Sequence, residues 1–140
     1  MLNQFSVENF LSIKDKVVLS LLASKDNEHP EHLIMDGNKS YLKSAVIYGA
    51  NASGKSNVLN AFWFMVNYVL TSHNQQLHKT IGRSPFKFDP ETPTRPSSFE
   101  VIFTTEGIRY AYDFSVTDKA VTEEYLYYYP NGRQDRKSVV

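Results

Sequence analysis

The stretch Gly49-Ala-Asn-Ala-Ser-Gly54-Lys55-Ser56 constrains this chain more than any other feature, because it carries the spacing G-x-x-x-x-G-K-[ST]. That pattern builds a phosphate-binding loop when a buried strand delivers it and a helix leaves it. Both flanks are legible. Ser44-Ala-Val-Ile-Tyr48 is a short apolar run bounded by polar and glycine residues, the pattern of a strand covered on both faces. From Lys55 to about Ser72, the residues Val58, Phe62, Met65, Val66 and Val69 recur at helical spacing, which predicts a helix. Leu59, Trp63 and Leu70 widen its apolar face to nearly the whole circumference, so this helix is expected to lie between layers.

Each residue type in the loop has a physical task. Gly49 and Gly54 allow backbone conformations and close approaches that a Cβ would obstruct. The N–H groups of the loop, through Ala50, Asn51, Ala52 and Ser53, can then converge on an anion at the positive end of the helix. Lys55 is expected to reach the β- and γ-phosphate oxygens of a nucleotide, which makes it the candidate catalytic residue. Ser56 is expected to place its hydroxyl on Mg2+, as the candidate metal ligand. The competing reading, a glycine loop with an incidental Lys-Ser pair, is disfavoured by the flanking strand and helix.

Around this centre the chain is strand-rich at both ends. Phe5-Ser-Val-Glu-Asn-Phe10 and Val17-Val-Leu-Ser-Leu-Leu22, separated by Ser12-Ile-Lys-Asp15, read as an antiparallel pair. Leu33-Ile-Met35 precedes a turn at Asp36-Gly-Asn38. Residues 73–96 form a polar, proline-rich connection with Phe86 and Phe88 as expected anchors. Phe99, Val101 and Phe103 alternate, Thr105-Glu-Gly107 turns, and Ile108 to Val116 alternate again, a hairpin. Val121 to Tyr129 is a third strand, and Ser138-Val-Val140 resembles the start of a fourth. The fold expected is α/β, with an N-terminal strand pair at 1–22, a loop strand and helix at 44–72, and an antiparallel β meander at 98–140. A last strand with so little length suggests a domain continuing past Val140.

Composition narrows the function. Fifteen Lys plus Arg balance fifteen Asp plus Glu, so no bulk field draws the chain to nucleic acid or anionic lipid. Without cysteine there is no disulfide framework and no thiolate metal site, which fits a reducing, cytoplasmic setting. No apolar run approaches the roughly 20 residues needed to span a bilayer.

Phe5-x-Val-x-Asn-Phe-x-Ser-Ile-Lys-Asp15 followed by Ile47-Tyr-Gly-Ala-Asn-Ala-Ser-Gly-Lys-Ser-Asn57 resembles the opening of ATP-binding-cassette (ABC) type P-loop ATPase heads. These include the structural-maintenance-of-chromosomes (SMC), RecF-like and OLD (overcoming lysogenization defect) branches, in which Asn51 and Asn57 are typical. Pro85-Phe-x-Phe-Asp89, Pro96-Ser-Ser-Phe-Glu-Val-Ile-Phe103, Tyr110-x-Tyr-x-Phe114 and Glu123-Glu-Tyr-Leu126 are similar to bacterial AAA-annotated, OLD-like ATPases of phage-defence loci. The resemblance implies ATP and Mg2+ as ligands, Gly49 to Asn57 as the binding set, and a head-to-head homodimer acting as an ATP-driven switch. It also implies DNA or an effector subunit as partner, engaged through regions outside these residues. It further implies a signature loop, a Walker B strand and a switch histidine, and these 140 residues show none of them.

Other signals have plainer readings. Glu123-Glu124 follows a polar stretch and makes a poor Walker B, and Leu33-Ile-Met-Asp36 precedes the loop rather than following it, as a strand entering a turn would. His29-Pro-Glu-His32 offers a metal pair, but the proline and polar surroundings favour a solvated surface. His73, Gln75, Gln76, His78 and Gln134 read as loop or turn residues. Lys14 is a secondary nucleotide-contact candidate against a solvated lysine. Tyr125, Tyr127, Tyr128 and Tyr129 read as sheet packing rather than base stacking, since no basic residues interleave them. Two alternatives to the ATPase head stay open: another P-loop enzyme, a GTPase or kinase, although no Asn-Lys-x-Asp motif occurs, and a non-catalytic interaction module.

Overall fold

A computed structural model describes residues 1–25, 29–72, 80–130 and 135–137. A six-stranded antiparallel sheet is covered on one face by a single helix, a mixed α/β arrangement. In chain order the strands are β1 (Leu2–Glu8), β2 (Val17–Ser20), β3 (Leu33–Asp36), β4 (Lys39–Leu42), β5 (Ser97–Thr105), β6 (Ile108–Val116), β7 (Val121–Tyr129) and β8 (Asp135–Lys137). The helix α1 spans Lys55–Thr71. The sheet order is β2-β1-β5-β6-β7-β8, and β3-β4 form a separate hairpin.

Local chemistry sets these pairings. Glu106 (φ 52°) and Gly107 (φ 74°) turn the chain between Thr105 and Ile108, a two-residue hairpin with both central φ angles positive. The register then aligns Val7, Phe99 and Phe114 in one cross-strand row, and Phe5, Val101, Tyr112 and Leu126 in the next. These rows form the apolar face. The opposite face carries Ser6, Glu100, Asp113 and Tyr125 in one row and Glu8, Ser98, Ser115 and Glu123 in another. Tyr110 stacks between Phe103 and Tyr128, with centroid distances of 5.4 and 6.5 Å, so aromatic side chains of β5 to β7 pack on one another along the sheet.

The helix lies on the apolar face. Ala61 and Met65 are buried, and Val58, Phe62, Phe64 and Tyr68 pack beside them. Phe64 meets Phe10 at 5.1 Å and Phe99 at 5.2 Å, while Tyr68 stacks on Phe114 at 5.3 Å. The expectation of a helix between layers is corrected: Leu59, Trp63 and Leu70 are exposed, and Val66 and Val69 are only partly covered. One sheet can cover one stripe of a helix, and no second layer lies against α1 among the described residues.

The expected strand at 44–48 is also corrected. No strand pairs with this segment among the described residues, and Val46 and Tyr48 are 83% and 88% exposed. A strand buried on both faces needs ladder partners at its edges, and none of the described strands runs beside this one.

Asn9 (φ 54°) and Leu11 (φ 53°) bend the chain between β1 and β2, with Phe10 and Ile13 bridged and buried. The connection to β5 is fastened differently from the expected pair of phenylalanines, since Phe88 is 92% exposed. Buried Asn9 takes the anchoring role: its Nδ2 donates to the carbonyls of Thr92, Arg95 and Pro96, and its Oδ1 accepts from Phe86 N. Buried Arg83 donates to Pro93 O, Arg95 O, Ser97 Oγ and Asp118 Oδ1. Polar anchors suit a loop whose carbonyls have no ladder to satisfy them.

Of the last strand, Asp135–Lys137 pairs with β7, whereas the expected segment 138–140 lies outside the described residues. His73, Gln75, Gln76, His78 and Gln134 lie outside them too. No helix among the described residues is long and apolar enough to cross a membrane.

Candidate functional site

The glycine-containing loop ends on the first turn of α1. Gly54, at φ 89°, is the N-cap, and it accepts the N–H groups of Asn57 at 2.9 Å and Val58 at 3.4 Å. Ala52 (φ 62°) and Gly54 both adopt left-handed backbone on either side of Ser53. Alternating handedness of this kind turns successive N–H groups toward one side, and the first N–H groups of a helix have no intrahelical acceptor.

A side chain at position 54 would be both strained and tightly hemmed. A Cβ there would lie 3.0 Å from Ser12 Oγ, on a backbone conformation that L residues avoid. At Gly49 the corresponding atom would lie 3.3 Å from Ser53 Oγ. The loop is therefore closed on itself and pressed by the β1–β2 connection. Asn57 Nδ2 reinforces that contact by donating to Ser12 Oγ.

Lys55 Nζ donates to Gly49 O at 2.9 Å and Ala50 O at 2.6 Å, so its ammonium folds back over the mouth of its own loop. Asn51, Ala52, Ser53 and Ser56 are exposed, and Gly54, Lys55 and Asn57 are half-buried. These groups fit a polyphosphate with a bound cation: a loop tightly packed at Gly49 and Gly54, a helix end, one ammonium held by two loop carbonyls and one exposed hydroxyl on the first helical turn.

Beside the loop lies a cavity of about 510 Å³, lined among others by Ser12, Lys14, Lys16, Tyr48, Lys55 and Val58. Lys14 thus borders the same space as Lys55, but its Nζ is paired with Asp89 Oδ2 at 2.7 Å. The hydrogen bond between them raises the Lys14 pKa and holds the Asp89 carboxyl below its ordinary range. Ser12 is the residue that sequence reasoning did not single out. Its place in Asn-Phe-x-Ser, two residues after buried Phe10, was the available signal.

The two acidic stretches lie elsewhere. Glu124 accepts from Tyr112 OH at 2.6 Å and borders a small cavity with Tyr68 and Val69. These lie near the far end of α1, so at 1.5 Å per residue Glu124 stands roughly 20 Å along the helix from Lys55. Asp36 accepts from Thr104 Oγ1 at 3.0 Å beside the β3–β4 turn.

A search of curated proteins found no match. A family comparison did: residues 44–138 match the family described as "AAA domain, putative AbiEii toxin, Type IV TA system". The matched span starts at the segment leading into Gly49, contains the whole loop and α1, and runs through β5, β6 and β7 into β8. With a nucleotide-loop motif on a helix N-terminus and more than half of the sequence inside that span, the chain belongs to this AAA-domain family of nucleotide-binding, ATPase-type proteins.

Proposed function

We propose that this chain binds ATP with Mg2+ through Gly49 to Asn57 and forms the nucleotide-holding part of an ABC-type, OLD-like ATPase head. The observation that carries this reading is the hemmed, left-handed Gly54 at the N-terminus of α1, with Lys55 beside it. Backbone N–H groups of the loop hold the phosphates, and the helix end adds a partial positive charge. Lys55 exchanges the carbonyls of Gly49 and Ala50 for phosphate oxygens. Ser56 is the side chain placed to ligate the cation, which neutralises phosphate charge when bound.

On this reading the head works as a switch. Two heads enclose two nucleotides, and hydrolysis depends on Walker B and signature elements that these residues do not carry. A phage-defence or DNA-maintenance setting, with DNA or an effector subunit as partner, is part of the same proposal. The toxin–antitoxin wording of the family description supports the defence setting.

Calorimetric titration of the chain with ATP and Mg2+ tests the assignment. Lys55→Ala is expected to weaken ATP binding by about tenfold or more, the loss of a charge-assisted contact. GTP displacing ATP strongly would favour another P-loop class. Salt-sensitive DNA binding that survives Lys55→Ala, without nucleotide binding by the parent chain, would favour an interaction module. Ordinary ATP turnover by the isolated chain, abolished by Lys55→Ala, would overturn the dependence on a second head.

A further inference from the structure

A second site lies on the short 3-10 turn before β3. Pro30–His32 form this turn, with His29 at φ 59° as its N-cap. The turn folds His29, Glu31 and His32 onto one another: His29 Nδ1 lies 3.2 Å and His32 Nε2 lies 3.4 Å from the same carboxylate oxygen, Glu31 Oε1. One ligand atom from each of the three residues falls within 4.8 Å of the others. Among the described residues this is the one cluster of three such groups.

The separations are informative. Ligands about 2.1 Å from a zinc ion stand about 3.4 Å apart at the edges of a tetrahedron. The two contacts to Glu31 Oε1, the one from His29 a hydrogen bond in the metal-free chain, already have about that length, the third pair lies within 4.8 Å, and both imidazoles are about 70% exposed. The scaffold is held in advance. Pro30 fixes φ at the first turn residue. Lys43 N donates to His32 O at 3.2 Å and Lys43 Nζ to Glu31 O at 2.7 Å, tying the turn to the end of β4.

We propose that His29, Glu31 and His32 form a surface site for a borderline divalent transition-metal ion, zinc or nickel, through two imidazole nitrogens and one carboxylate oxygen. Two nitrogens and one oxygen suit this class better than magnesium or calcium, which prefer oxygen donors. Three protein ligands leave a coordination position for water. The site is independent of the nucleotide loop and of the function proposed for it.

The experiment is calorimetric titration of the full chain with Zn2+ and with Ni2+, with no nucleotide present. One ion per chain is expected, and His29→Ala or His32→Ala should each weaken binding by about tenfold or more. Glu31→Gln should weaken it less, since the amide oxygen remains a neutral ligand. The chain has two further histidines, His73 and His78, so a His73→Ala/His78→Ala variant serves as the control and should bind like the parent. Circular dichroism of each variant reports folding separately. No binding by the parent at about millimolar metal, or equal affinity for the parent and His29→Ala/His32→Ala, would overturn the proposal. Binding that disappears in the His73→Ala/His78→Ala control would overturn it as well.

Discussion

Asn57 Nδ2 donates to Ser12 Oγ at 2.6 Å, joining the first turn of α1 to the β1–β2 connection across 45 residues of chain. The same Ser12 oxygen stands over Gly54. One hydroxyl therefore fixes the helix start and closes the glycine loop from outside. A double-mutant cycle on Ser12→Ala and Asn57→Ala should give a coupling of about 0.5–1.5 kcal/mol in denaturant unfolding. Strict additivity of the two substitutions would show that the bond contributes nothing.

Gly54→Ala combines two penalties, a left-handed backbone and a clash. We expect it to destabilise the chain by about 1–2 kcal/mol from the backbone alone, with the clash adding to that. In a Ser12→Ala background the added part should vanish while the backbone part stays. Equal costs in both backgrounds, read from urea midpoints, would mean that Ser12 does not press on the loop.

Asn9→Ala should be the most damaging polar substitution in the N-terminal region. Asn9 is buried and bonds to four backbone groups of the loop before β5, so truncation leaves several of them without partners. A loss of about 2–4 kcal/mol is expected by chemical denaturation. A value near zero would place the loop's anchoring on Arg83 alone.

Two neighbours on α1 should separate cleanly. Met65→Ala removes a buried side chain and should cost about 2–4 kcal/mol. Trp63→Ala removes one that is 69% exposed and should stay within about 0.5 kcal/mol. Comparable losses in thermal unfolding would show that the outer face of α1 is covered in solution.

The Lys14 and Asp89 pair gives a pH signature. Its hydrogen bond lowers the Asp89 pKa and raises that of Lys14. The Asp89 contribution is therefore complete above the unfolded carboxylate value and lost as pH falls through the lowered folded value. The Lys14 contribution is complete below the unfolded lysine value and lost as pH rises through the raised one. In Lys14→Met, NMR titration should show the Asp89 midpoint moving up toward its ordinary value. An unchanged midpoint would mean that the pair does not persist in solution.

The sequence made the helix, the glycine turn at its start and the meander legible because each rests on local chemistry. Spacing of apolar residues places α1 from Lys55, and Glu106-Gly107 marks its hairpin through a glycine that accepts positive φ. Residues 44–48 misled because apolarity predicts burial only where partners exist, and a ladder partner is a nonlocal fact. The same reasoning explains the outer face of α1. Phe88 misled for the opposite reason: an aromatic in a loop suggests an anchor, whereas carbonyls without a ladder are held by the amide of Asn9 and the guanidinium of Arg83. Ser12 was harder to read because Asn-Phe-x-Ser marks a turn but says nothing of what lies 45 residues away.

The sheet order β2-β1-β5 has a kinetic consequence. β1 ends at Glu8 and its neighbour β5 begins at Ser97, so the Gly49–Ser56 loop and α1 emerge from the ribosome before the strand that completes the platform of α1. At about 5–20 residues per second, β1 waits on the order of 5–20 s for that strand. Until β5 and β6 arrive, Phe64 has Phe10 but not Phe99 beside it and Tyr68 lacks Phe114, and closing so long a span is entropically slow. Nascent chains caught before Thr105 should therefore be the chaperone-dependent and protease-sensitive ones.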